Sequence, residues 1–274
     1  MGTRSYPETL AEVLDSMGAA GRRLNSIDAV EAGAGNLSAA VNWTLDLGEF
    51  FDAQRPLELP LAVPHLAGYT VLVTGSGCRL RGVHDQPARN VGAVVIDEGG
   101  LTGTLHYLST GNFLRPTSEF NSHLGVHDDQ VGARDLPFHA VVHAQPPHLT
   151  YLSHVPAYRD EKTFNDHVLH WEPESIVALP EGVGVLEFMV PGSDELMAAN
   201  IDALRRHQIV LWGKHGVMAR SDLSVTHAVD RIEYAETGGR YEYMNLVAGG
   251  RGEGLTSAEM HRVVEAFNVQ TTLV

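Results

Sequence analysis

The sequence predicts an α/β fold, and three observations carry that reading. Short runs of apolar and β-branched residues, Thr70 to Val73, Val91 to Asp97, Phe138 to Gln145 and Ile209 to Trp212, are strand-length and end in Gly, Pro, Ser or Thr. Between and around them, apolar residues recur at helical spacing behind capping signatures. The chain of 274 residues is long enough to bury a full core and sits near the upper limit for one α/β unit, so residues 1–274 are expected to form a single domain.

Taken in order, Thr9-Leu10-Ala11-Glu12 fits a capping box, and Leu10, Val13, Leu14, Met17 and Ala20 continue a helix to Arg23. A glycine-dense loop from Glu31 to Ser38 follows, then strands broken by polar and proline-rich turns up to residue 68. The strand Thr70 to Val73 empties into Thr74-Gly75-Ser76-Gly77, and Val91 to Asp97 pairs with Leu101 to Leu108 across Glu98-Gly99-Gly100. Pro116 to His123 reads as a loop turning into a helix. After the strand Phe138 to Gln145, a helix is expected from Leu149 to Val155, a strand at Ile176 to Leu179 and a turn at Glu181 to Gly184. Pro191-Gly192-Ser193 announces a helix that ends in Arg205, Arg206 and His207. Ile209 to Trp212 is a buried type of strand, Ser221 or Asp222 is expected to cap a long helix through Met244, and Thr256 to Glu259 opens a last helix to Phe267.

Charge limits the partners. A net charge of −15 argues against nucleic-acid binding, which depends on Lys and Arg neutralising phosphates, so an anionic ligand must be held locally. The lone Cys78 excludes an internal disulfide framework and suits a reducing compartment. No apolar run approaches a membrane span, and Met1 to Asn25 lacks a signal-peptide core; a cytoplasmic protein without membrane contact is the expectation.

Four stretches could carry chemistry. On the strand Phe138 to Gln145, alternation puts His139, His143 and Gln145 on one side, where imidazoles can converge on a metal ion or simply pair with each other. His215 lies between glycines in Gly213-Lys214-His215-Gly216, exposed at a strand end and placed to join a metal set. Glu119 stands at a helix start, as a favourable partner of the helix dipole or as a general base in a cleft, with His123 on the same helical face. The loop Thr74 to Gly77 exposes backbone N–H groups and hydroxyls suited to an oxyanion, and lacks the Lys and spacing of a P-loop.

Together, Gly35-Asn36-Leu37-Ser38, Thr74 to Gly77, Pro116 to Glu119 and Leu211 to Val217 resemble the class II (zinc-dependent) sugar-phosphate aldolases of the adducin-like superfamily, in order and nearly in spacing. The likeness extends over Trp171 to Gly184 and Val190 to Ser193, hence most of the chain from about Gly33 onward. It implies one three-layer α/β/α domain around a mostly antiparallel sheet, assembled as a homotetramer with active sites at subunit interfaces. It also implies metal-dependent cleavage of a ketose 1-phosphate, similar to rhamnulose 1-phosphate, to dihydroxyacetone phosphate and an aldehyde. Within the superfamily, a lyase or dehydratase acting on another sugar and a non-catalytic adducin-like interaction protein are the rival readings.

Carried over by position, the resemblance puts Asn36, Ser76, Gly77, Thr117 and Ser118 on phosphate-holding loops, Glu119 on the proton-transfer carboxylate and Glu174 on a second carboxylate of the site. His143 and His215 fall on two zinc ligands. The third does not carry over, because the family's His-x-His reads here as His143-Ala144-Gln145, so either Gln145, His139 or His148 completes the set or metal affinity has fallen. An amide oxygen is a weaker donor to zinc than imidazole. Gly33 is a second departure, standing where a polar residue lies near the phosphate.

Overall fold

The computed structural model describes residues 6–274; the first five residues of the amino-terminal stretch read above lie outside them. In chain order the elements are α1 (Leu10–Ser26), β1 (Asn36–Val41), β2 (Ala53–Glu58), β3 (Thr70–Thr74), α2 (Pro87–Asn90), β4 (Val91–Ile96), β5 (Thr102–Tyr107), α3 (Phe120–Arg134) and β6 (Phe138–Ala144). They continue with α4 (Pro147–Leu152), α5 (Glu161–Val168), α6 (Pro173–Ala178), β7 (Val183–Leu186), α7 (Asp194–Arg206), β8 (Ile209–Trp212), β9 (Gly216–Ser221), α8 (Val225–Val247) and α9 (Ser257–Phe267). The strands form one nine-stranded sheet in the order β2-β5-β4-β3-β1-β6-β9-β8-β7. Every pairing is antiparallel except β7 with β8.

Why the sheet runs this way follows from burial. β1, β3, β6, β8 and β9 are buried along their whole length, which explains apolar runs with little alternation: helices cover both faces. On one face Leu37, Ala39, Phe138, Ala140 and Val142 pack with Leu14 and Met17 of α1 and Val229 and Ile232 of α8. On the other, Ala40 and Val73 meet Phe120 and Leu124 of α3, while Val141, Trp212 and Met218 meet Leu196 and Leu204 of α7. Each such buried Leu holds about 2–5 kcal/mol against truncation to Ala. The exposed β2, with Pro56, makes one edge, where a residue without an N–H leaves no ladder bond unmade.

Both capping boxes form: Thr9 with Glu12, and Thr256 with Glu259. The structure differs from the sequence reading in five places. Ile176 to Leu179 is not a strand; Pro173 pre-sets φ for the first turn of α6, and the apolar run is its buried side. Val183 and Gly184 begin β7 instead of completing a turn. The glycine loop stops at Gly35, and Asn36 and Ser38 already lie in β1. A whole strand, β9, separates His215 from the long helix, which Ser224 caps rather than Ser221 or Asp222. The helix after β6 starts two residues earlier than expected, at Pro147.

Candidate active site

At one end of the sheet, the start of β1, the end of β6 and the start of β9 come together. Register sets Asn36 opposite His143 and His143 opposite Met218, all facing the α3 layer. Gly216 opens β9 so close to β6 that a Cβ would collide with the Ala144 carbonyl oxygen. The turn before it holds Lys214 at φ +61°, and this left-handed residue swings His215 back over His143, ring centroids 4.9 Å apart.

Glu119 occupies the N-cap position of α3, yet its side chain makes no capping hydrogen bond. The carboxylate turns inward, 4% exposed as a residue, and accepts from Asn36 Nδ2 at 2.9 Å. Its Oε2 stands 3.6 Å from His143 Nε2 and its Oε1 3.8 Å from His215 Nε2. The helix-dipole role alone therefore does not describe it.

The ligating atoms of Glu119, His143 and His215 lie within 4.8 Å of one another. Two ligands about 2.1 Å from a tetrahedral ion stand roughly 3.4 Å apart, so gaps of this size suit a shared cation better than direct hydrogen bonds. Proton placement agrees. His143 Nδ1 donates to the Val217 carbonyl at 2.8 Å, which leaves its Nε2 lone pair directed at the cluster, the usual outer-shell arrangement of a metal-ligating imidazole. Trp212 stacks on that ring at 4.6 Å, its own Nε1–H donating to Asn200. Burial, with His143 alongside, pushes His215 down to about 4, so it is a neutral donor at pH 7. The residues fit a divalent ion.

The other expected donors stand elsewhere. The Gln145 amide, in its better-bonded orientation, donates to the Glu31 carboxylate at 2.7 and 3.1 Å. His148 bonds Glu236 at 2.6 Å, and His139 pairs with His127. Glu174 is exposed in the first turn of α6, which packs on α8 and α9, and it is not part of the cluster. What the sequence reading missed is that Glu119 stands where it could serve as a third donor; its one visible signal was a carboxylate at a helix start that the cap did not need.

Three loops converge beside this cluster. A β-bridge joins Gly75 to Pro116, Ser76 N–H donates to the Arg115 carbonyl at 3.0 Å, and Thr117 N–H to the Thr74 carbonyl at 3.1 Å. A Cβ on Gly33 would stand 3.2 Å from the Gly77 carbonyl oxygen, so the small residue there lets the loops close up. Thr117 and Ser118 line an open groove of about 620 Å³ with Arg115, Asn121 and the carboxylates Glu58 and Asp194; Glu119, His143 and His215 are not on its walls. Arg115, a cation beside the hydroxyl pair, was not singled out from the sequence. Asn36, Ser76, Gly77, Thr117, Ser118 and Glu119 thus fall on three adjoining segments.

Comparison with known proteins agrees with this architecture. Residues 15–242 match the family described as Class II Aldolase and Adducin N-terminal domain. Rhamnulose-1-phosphate aldolase of Escherichia fergusonii is 30% identical over 243 residues, 87% of this chain and 87% of that protein. The enzyme of the same name from Klebsiella pneumoniae is 30% identical over 222 residues, covering 81% and 79%. Among solved structures, a sugar-phosphate aldolase from Thermotoga maritima superposes with a TM-score of 0.74 at 25% identity, over 89% of this chain and 98% of that one. An L-fuculose 1-phosphate aldolase, 20% identical, shares the fold with a TM-score of 0.58 over 97% and 100%. The chain belongs to the class II aldolase and adducin N-terminal domain family, and within it is an enzyme of the aldolase type. The open, mostly antiparallel sheet between two helical layers is that family's fold.

Proposed function

We propose that this protein cleaves a ketose 1-phosphate, of the rhamnulose 1-phosphate kind, to dihydroxyacetone phosphate and an aldehyde in a metal-dependent retro-aldol reaction. One observation carries the reading: a carboxylate freed from its own helix cap faces the Nε2 atoms of two histidines, directly after the Thr117-Ser118 hydroxyl pair in the chain. His143, His215 and Glu119 would hold the ion, with zinc the best match to two neutral imidazoles and a carboxylate. When bound, such an ion supplies positive charge against the developing oxyanion of the substrate.

The chain's own residues do the rest. Asn36, Ser76, Gly77, Thr117 and Ser118 would hold the phosphate without a full positive charge, chiefly through the Ser76, Thr117 and Ser118 hydroxyls and the Gly77 amide, since the Ser76 and Thr117 N–H groups are already bonded; Arg115 beside them adds a charge. As the bond between C3 and C4 breaks, its electron pair passes into the enediolate; Glu119, having taken up a proton from solvent, gives it to C3 and is left as the carboxylate. The proton of the C4 hydroxyl goes to a second base. Glu174, remote from the cluster of its own chain, suits that role only from a neighbouring subunit, which favours the expected homotetramer with interface sites. Tyr241, Met244 and Val247 on the last turns of α8 and Phe267 of α9 are exposed apolar residues available to such an interface.

Purified protein assayed on a panel of ketose 1-phosphates should release dihydroxyacetone phosphate, lose that activity on chelation and regain it with zinc, manganese or cobalt. No turnover of any ketose phosphate under those conditions would overturn the reading. Light scattering at micromolar concentration should give a tetramer; a monomer would remove Glu174 from the mechanism.

A further inference from the structure

Behind Asn36 the interior contains a line of hydrogen bonds that metal and phosphate binding do not explain. Asn36 and Ser38 share a face of β1, His139 lies on the same face of β6, and His123 and His127, four apart on α3, cover them. From Glu119 inward, Asn36 Nδ2 donates to the carboxylate at 2.9 Å and Asn36 Oδ1 meets His123 Nε2 at 2.5 Å. His123 Nδ1 meets Ser38 Oγ at 2.6 Å, and Ser38 Oγ meets His127 Nε2 at 2.7 Å. His127 Nδ1 then meets His139 Nδ1 at 2.8 Å, and His139 Nε2 ends the line without a hydrogen-bond partner among the described residues. Ser38 and all three histidines have no solvent exposure.

The direction of every bond follows from its first member. An ionised carboxylate only accepts, so Asn36 turns its nitrogen to Glu119 and its oxygen to His123. His123 must then carry its proton on Nε2, and its bare Nδ1 takes the single hydroxyl proton of Ser38. Ser38 Oγ accepts in turn from His127 Nε2–H, and the bare His127 Nδ1 accepts from His139 Nδ1–H. Reversing any one member sets two protons or two lone pairs face to face. Full burial keeps the three rings neutral, with His127 pushed down to about 3. The line is not a route for protons, because the Asn36 amide does not relay one. In the same layer Val and Leu would fill this space at no cost of buried polarity, so a fully directed polar line is an expensive choice for packing alone.

We infer that His123, Ser38, His127 and His139 are positioning residues: they lock the Asn36 amide in the one orientation that donates to Glu119, and so aim the carboxylate at the histidine pair. This rests on Glu119 being the proton-transfer group of the proposed reaction, whereas the tautomer pattern can be read in the resting protein.

Two measurements test it. Long-range ¹H–¹⁵N NMR of histidine-labelled protein at pH 7 should show His123 and His127 as Nε2–H tautomers and His139 as the Nδ1–H tautomer. An Nδ1–H His123, an imidazolium, or rings averaging between tautomers would overturn the inference even in an active enzyme. Kinetically, His127→Leu removes the donor to Ser38 while His127→Gln keeps one. His127→Leu should lower kcat on the order of ten- to a hundredfold with KM and metal content unchanged, and His127→Gln should recover most of it. Equal kcat per folded molecule in both variants would reduce the line to a stability device, whatever happens to Tm. Should His127→Leu fail to fold, the tautomer pattern decides alone; should wild type lack turnover, the functional proposal fails while the tautomers remain to be judged.

Discussion

Five histidines lie on the α3 side of the central strands and their connecting turn, and they divide into two sets. His143 keeps an Nε2 lone pair pointed at Glu119 because its Nδ1 donates to Val217, and His215 presents its Nε2 to the same carboxylate while its Nδ1 has no hydrogen-bond partner among the described residues. His123, His127 and His139 spend their nitrogens on one another, on Ser38 and on Asn36, leaving a single terminal nitrogen unpaired. Residue type is the same in both sets, and only His215 is partly exposed. What separates them is whether free nitrogens converge: the Nε2 atoms of His143 and His215 meet at Glu119, whereas the one unpaired nitrogen of the second set, His139 Nε2, is not part of any such cluster among the described residues. The first set can accept a cation; the second can only hold its neighbours still.

The largest consequence concerns metal. Replacing either member of the first set, as in His143→Ala or His215→Ala, should weaken zinc binding by more than the roughly 10–100-fold that loss of an outer-shell partner costs, read by competition with a chromophoric chelator. His127→Gln should leave zinc affinity almost unchanged, so an equal loss in both sets would break the comparison.

A smaller effect appears in acid. The three enclosed rings have folded-state pKa values below the ordinary 6.5, with His127 at about 3. The unfolded chain therefore binds protons that the folded chain excludes. Stability from this source is complete above 6.5 and drains away as pH falls through the window from 6.5 toward 3. In the presence of chelator, Tm should fall across that window, and proton uptake on unfolding should drop by about one in His127→Gln. A Tm that is flat between pH 6.5 and 4, or that rises, would show these rings to be charged in the fold.

The smallest effect is expected at Gln145. Because its amide is held on Glu31, Gln145→Ala should change zinc affinity by no more than about twofold, whereas Glu119→Ala should change it severely. A large loss in Gln145→Ala would mean that the amide leaves Glu31 for the ion.

Much of this was legible in the sequence because local rules sufficed. The strands at Thr70 and Ile209 show as short β-branched runs, and the Thr9 and Thr256 boxes mark their helix starts within a residue. Ile176 to Leu179 misled because a four-residue apolar run carries no period, and only Pro173 spoke for a helix. β9 stayed hidden because it holds a buried Arg220, whose Nε donates to the Leu204 carbonyl at 2.6 Å, and polarity in a run reads as exposure. At the site, residue types and order were visible, but contacts across long stretches of chain were not. Nothing local in the sequence brings Asn36 onto Glu119, 83 positions away, or turns Gln145 from the metal to Glu31. The spacing of Glu119, His123 and His127 was there to be seen as one helical face, while its purpose depends on which strand residues lie beneath it.

The central claim is that Glu119 moves the proton. Glu119→Gln keeps the shape of the side chain and removes its charge, and loss of a positioned acid–base group costs on the order of 10²–10⁴ in rate. Single-turnover cleavage of the preferred ketose 1-phosphate, measured at zinc occupancy matched to wild type, should fall by that factor while Tm stays within a few degrees. Cleavage at the wild-type rate in the metal-loaded variant would leave Glu119 as a ligand and helix-end carboxylate only, and would contradict the mechanism.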